Sequence, residues 1–245
     1  MLISSVGFIQ MSEEAKSLLM QLKKEKKIDK QIELVKELKA YYQEEIVNNV
    51  LSIHLQNKED DSLRLEIMNV LDFRNPIIIK PLSEILKNPD EPITIKEKAI
   101  NLLGLSNNKK AMSILLSLYK KSKDKKILEN VLYSLTFFNN KDVVKPLIKC
   151  LKSNELRLPV LSGLARNDYV VLSSQELIKE ISSLNLTNNF ENLQVEKITD
   201  VIFNEFKYKS REELVAAIQD KSINKKIADY AKKRSEIDKS TKKKS

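Results

Sequence analysis

Glycine and proline are scarce in this sequence: three Gly and six Pro in 245 residues, with no Trp, one Cys and one His. Each shortage excludes something. Strand-and-turn proteins need many positive-φ positions, which glycine fills most readily, so three glycines point to helices joined by short turns. A single cysteine, Cys150, rules out an intramolecular disulfide and any Cys-only metal site, and suits a reducing compartment. A single histidine, His54, excludes a two-His metal site. Gly7, Gly104 and Gly163 stand far apart, so no glycine-rich loop exists to cradle a phosphate. No apolar run approaches the ~18–20 residues that span a bilayer. The opening MLISSVGFIQM has no basic leader region and runs straight into Ser12-Glu13-Glu14, which does not fit a signal peptide. Cytoplasm is the expected location. Met11 offers an alternative start, so residues 1–11 are set aside as an extension, either untranslated or disordered.

What the sequence does have is Leu, Ile, Lys and Glu, with charged residues at 31%. That composition fits a helical protein. The net charge of +9 is unevenly placed: residues 221–245 contribute +7, leaving +2 for all the rest. Basicity belongs to the C-terminal end.

Apolar helical runs recur in pairs. Leu71, Leu103 and Leu135 lie 32 residues apart and Leu164 follows after 29. The pairs Leu63–Arg64, Ile95–Lys96, Ile127–Leu128 and Leu156–Arg157 keep those intervals, and the turn residues Asn75, Asn107, Asn139 and Asn167 nearly do. A period in this range with two helices per unit predicts a right-handed all-α solenoid of about five or six antiparallel helix pairs. It occupies residues 12–220, with clear repeats over 62–167, followed by a basic C-terminal segment, 221–245. In that segment a helix is expected over Ile223–Ile237. Lys239–Ser245, lacking any apolar residue, is expected to be disordered.

One first (A) helix carries a branched apolar residue plus a basic one, then Ala, then Leu-Gly, as Ile95–Lys96, Ala99 and Leu103–Gly104. An Asn turn and an apolar second (B) helix follow. On these residues the stretch 62–167 resembles HEAT repeats, specifically the short bacterial type also found in phycobilisome-lyase-like proteins. Lys96 and Leu128 depart from the usual Arg, and Asp72, Thr136 and Ala165 from the Gly.

The resemblance implies that B helices line a concave face. Lys80 and Lys145 occupy equivalent B-helix positions, as do Lys87, Lys120 and Lys152, with Lys149 one turn earlier. These six form the expected partner-binding row for an acidic protein. Lys87, Lys120 and Lys152 also fall in last turns, where cations complement the helix dipole without any partner. At the C-terminal end Lys232, Lys233, Arg234, Lys242, Lys243 and Lys244 provide charge for RNA, DNA or acidic lipid, or for solubility alone. Their Lys bias and lack of interleaved aromatics argue against sequence readout.

Catalytic chemistry finds little support. His54 follows Ile46 and Val50 at helical spacing and reads as a packing residue, and Cys150 shares the core register of Ile85 and Leu118. No catalytic residue, metal site or cofactor is expected. The resulting expectation is a non-enzymatic adaptor or scaffold that binds a protein on its B-helix face. The rivals are non-specific nucleic-acid binding through the basic end, and a HEAT-type DNA glycosylase or lyase. A glycosylase should show a basic groove with Trp, Tyr and Asp around the base, and the near-neutral body lacks that set.

Overall fold

The computed structural model describes residues 12–56, 60–186 and 188–242. The N-terminal extension lies outside them. Among the described residues there are α-helices and short 3-10 segments and no strand. Helix α1 (Glu13–Lys24) starts where the Ser12 hydroxyl accepts the Ala15 N–H at 3.3 Å, with Glu13 and Glu14 in its first turn and Lys23 and Lys24 in its last. Six helix pairs follow: α2 (Ile28–Leu38) with α3 (Glu45–His54), α4 (Asp61–Val70) with α5 (Ile79–Lys87), α6 (Ile93–Leu105) with α7 (Lys109–Lys121), α8 (Lys125–Leu135) with α9 (Lys141–Lys149), α10 (Arg157–Ala165) with α11 (Ser174–Ser182), and α12 (Asn189–Phe206) with α13 (Arg211–Gln219). Helix α14 (Ile223–Lys242) closes the described chain. The all-α repeat of helix pairs expected from the 32-residue period is what the chain forms.

Polar side chains set the helix starts. Asp60 accepts the Leu63 N–H at 2.8 Å and Asp124 accepts that of Ile127 at 3.0 Å. Asn108 and Asn140 do the same for Lys110 and Asp142, at 2.8 and 2.9 Å. The extra residue in the third repeat's turn is explained by a division of labour. Asn107 takes a left-handed backbone (φ 47°), which Asn tolerates better than most residues, and Asn108 then caps α7.

The chain divides into two compact units, up to Ser134 and from Leu135. In the first, α2, α4 and α6 pack in sequence, and α5 lies against α6 and α7. Leu38, Leu51, Ile67, Leu82, Ile95 and Leu103 are fully buried there. The basic residue that recurs at the start of the A helices acts as a clamp. Arg64 Nε donates to the Leu55 carbonyl at 3.1 Å, tying α4 to the end of α3, and its guanidinium pairs with Glu91 just before α6. Both side chains are only 2% exposed, and Glu91 also accepts a hydrogen bond from Asn88 at 3.1 Å. Lys96 occupies the same register and reaches back to the Pro89 carbonyl at 2.9 Å. Buried Asn48 adds a second latch, accepting the Asp72 N–H at 2.8 Å. At Gly104 the A helices come close together: a Cβ there would lie 2.7 Å from Ser134 Cβ.

The second unit repeats these devices. Arg157 donates to the Leu151 carbonyl at 3.0 Å and faces Glu191 at 3.8 Å, as Arg64 does with Leu55 and Glu91. Buried Asn167 donates to the carbonyls of Phe138 (3.2 Å) and Asn140 (3.1 Å). Val143, Leu147, Leu161, Leu164, Ile198 and Ile202 fill the core. Helix α14 is held by buried Ile223, by the Tyr230 hydroxyl on the Asp168 carbonyl at 2.8 Å, and by Lys226 on the Phe206 carbonyl at 2.7 Å. So anchored, the helix runs to Lys242, past the Ile237 end expected from the sequence. Residues 243–245 lie outside the described residues.

Adding a methyl group at Gly104 should force α6 and Ser134 apart and lower stability by ~1–3 kcal/mol. The double variant Gly104→Ala/Ser134→Gly should recover part of that loss in chemical denaturation. Equal loss in single and double variants would show that the close approach is not where the cost arises.

Candidate functional site

Helices α5 and α7 leave a groove between them. Its wider part, 880 Å³, runs from Pro76 and Lys80 on one side to Asn108 and Ser113 on the other. A narrower part, 380 Å³, continues along Leu86 and Leu118 toward Lys121. Ser83, Lys87 and Ile114 line both, so the two parts are continuous. Helix starts set this geometry. Asn75 caps the 3-10 turn Pro76–Ile78 that leads into α5, and Asn108 starts α7 so that Lys109 and Lys110 fall in its first turn.

The floor is apolar: Ile79 is buried, and Leu86, Ile114 and Leu118 are half-buried. Around it stand the exposed lysines Lys80, Lys87, Lys109, Lys110 and Lys121, against one carboxylate, Glu84. Among the described ion pairs none involves any of these five ammonium groups. They repel one another and gain from an anion, and the low-dielectric floor strengthens both effects. An apolar trough with a cationic margin can hold an apolar side chain and neutralise carboxylates beside it.

The sequence-predicted row is brought together only in part. Lys80 and Lys87 lie on the groove. Lys120 is exposed on α7, but its neighbour Lys121 takes the groove-lining position. Lys145 and Lys149 are exposed on α9, in the second unit. Lys152 faces Glu180 at 3.6 Å. Of the C-terminal set, Lys232 is exposed on α14. Lys233, Arg234 and Lys242 belong to the same helix, with side chains outside the described residues, and Lys243 and Lys244 lie wholly outside them.

Sequence reasoning missed Lys109, Lys110 and Lys121. The signal was present as a helical stripe: Lys110, Ile114, Ser117 and Lys121 follow at i, i+4, i+7 and i+11, and Lys80, Ser83 and Lys87 at i, i+3 and i+7. Matching last-turn lysines across repeats selected Lys120, which points off that stripe.

His54 ends α3 half-buried, and burial pushes its pKa below the ordinary imidazole value. Cys150 is half-buried, with its Sγ donating to the Pro146 carbonyl at 3.3 Å. Burial pushes the thiol up and neighbouring Lys149 pulls it only partly back. A raised thiol pKa disfavours the reactive thiolate. Among the described residues no cluster of His, Cys, Asp and Glu is arranged to hold a metal, and no helix is long and apolar enough to cross a membrane.

Comparison with protein families finds the model described as HEAT repeats over residues 79–165, which includes the whole α5–α7 groove segment from Ile79. Residues 79–165 carry HEAT repeats. The match falls within the stretch 62–167 read as HEAT-like from its sequence. No curated protein matches the chain. Among solved structures, the complex of CpcE and CpcF of phycocyanin lyase from Nostoc sp. PCC7120 is similar at 14% identity and a TM-score of 0.43, over 90% of this chain and 97% of that one. That neighbour is named as a lyase, which corrects the expectation that this HEAT-repeat chain is not an enzyme. The exclusion leaned on the lone His54 and Cys150. Proton transfer also uses Asp, Glu, Lys and Tyr, which are plentiful here.

The depressed His54 pKa has a testable sign. The folded chain binds a proton at His54 less readily than the unfolded chain does, so stability falls as pH drops below ~6.5. His54 is the sole histidine and the carboxylates titrate mainly below ~5. The melting temperature should therefore decline from pH 7 to about 5.5 in the native chain and decline less in His54→Gln. Equal slopes would place no perturbed imidazole in the folded protein.

Proposed function

We propose that this HEAT-repeat chain is an adaptor or scaffold that holds a protein partner against its B helices, with the α5–α7 groove as the principal contact. The observation that carries the reading is the set of five lysines around an apolar floor, none of them in an ion pair among the described residues. Like charges gathered at such a floor cost free energy in the isolated chain and are offset when an oppositely charged surface docks. Stacked helix pairs supply the rigidity that a binding surface needs, because each repeat is fixed by its neighbours. Lys145 and Lys149 on α9 offer a second patch of the same sign in the second unit.

Charge reversal at exposed positions tests this without disturbing the core. Lys80→Glu/Lys87→Glu should reduce recovery of the native partner by roughly tenfold or more, which corresponds to ~1.4 kcal/mol in binding. Lys36→Glu/Lys39→Glu, an equal charge change at exposed positions at the end of α2 and just beyond it, should leave recovery unchanged. The measurement is quantitative co-purification from the native cell. Retention of the partner by the first variant would move the interface elsewhere.

A further inference from the structure

The chemistry of the groove narrows what it accepts. We infer that its occupant is an acidic amphipathic segment of a partner protein, an inference that rests on the groove being the interface. The sign of the charge comes first: five lysines against Glu84 select an anionic ligand. The floor comes second. Leu86, Ile114 and Leu118, with Ile79 beneath them, offer aliphatic surface that gains only from an apolar partner, so carboxylates alone leave it unused. Length comes third. From Asn108 to Ser122 α7 rises ~20 Å, room for about four turns of a helix or about six extended residues. A segment with a Leu- or Ile-type stripe and Glu or Asp at its flanks meets all three conditions.

Other occupants fit less well. Nucleic acid supplies the negative charge, but the groove has no aromatic ring on which a base can stack and no Arg to fork onto phosphate. A second copy of this chain carries +9 and is repelled by the same lysines. Lys109 and Lys110 at one end and Lys121 at the other place cations at both ends of the trough, so acidic residues are accepted on either side of the apolar stripe.

The test uses the full chain and fluorescence anisotropy with four labelled probes. The first is a peptide of about 14 residues with Leu at i, i+3, i+4 and i+7 and Glu or Asp elsewhere. The second has the same composition with its Leu residues scattered, the third replaces each acid by Lys, and the fourth is a single-stranded oligothymidine of matching charge. The first probe should bind at least ~10-fold more tightly than each of the others. Lys80→Glu/Lys110→Glu should weaken it by at least ~10-fold, whereas the charge-matched Lys36→Glu/Lys39→Glu should not. Equal binding of the scattered peptide or the oligothymidine overturns the inference, as does an unchanged affinity in the groove variant or no binding of the first probe. A native partner lost from groove variants, but cross-linked to the groove through a neutral or basic segment, overturns this inference and leaves the groove as the interface. A native partner retained by those variants overturns the interface itself.

Discussion

A pair of short helices with one apolar stripe each cannot bury both stripes on itself, and this chain is built around that constraint. Within each compact unit a pair is completed by its neighbour, and the same residue types are reused to join them. Arg64 and Arg157 reach back to the carbonyl that ends the preceding B segment and forward to Glu91 and Glu191. The Arg64–Glu91 pair is fully desolvated, and losing either partner alone would strand a buried charge at a cost of ~3–5 kcal/mol. The pair therefore fixes register more than it adds net stability, since a hydrophobic pair of equal volume can be as stable. Asn48 and Asn167 satisfy backbone groups that turns between helices leave exposed.

The groove follows from this stacking. The side chains of α5 and α7 do not close the space between these two B helices. Between α5 and α7 the result is a trough with Ile79 and Ile114 at its base and lysines at its margins. The near-neutral body charge conceals this concentration. A sum over residues 12–220 averages away a local field that depends on which helix faces are turned together.

Much of the architecture was legible because periodic apolar residues and capping Asn and Asp act locally. Leu71, Leu103, Leu135 and Leu164 are all buried, and the sixth pair and most helix ends fall within a few residues of where spacing put them. The partners of the basic A-helix residues were not legible: Glu91 and Glu191 lie 27 and 34 residues beyond Arg64 and Arg157, and no local pattern links them. The groove was only partly legible. Of its lining lysines, Lys80 and Lys87 belong to the row read from the sequence, whereas Lys121 depends on helical phase rather than repeat position. Cys150 was assigned to the core register and is half-buried. The helical run through Lys239–Lys242 could not be read from composition, because its support comes from Tyr230 and Ile223 docking at a distance.

Lysine acetylation footprinting of the full chain, free and bound to its native partner, bears most directly on the central claim that the α5–α7 groove is the binding surface. In the complex, Lys80, Lys87, Lys109, Lys110 and Lys121 should be shielded from reagent while Lys36 and Lys232 label as in the free chain. Shielding confined to the lysines of α14, with the five groove lysines labelled as before, would contradict the account.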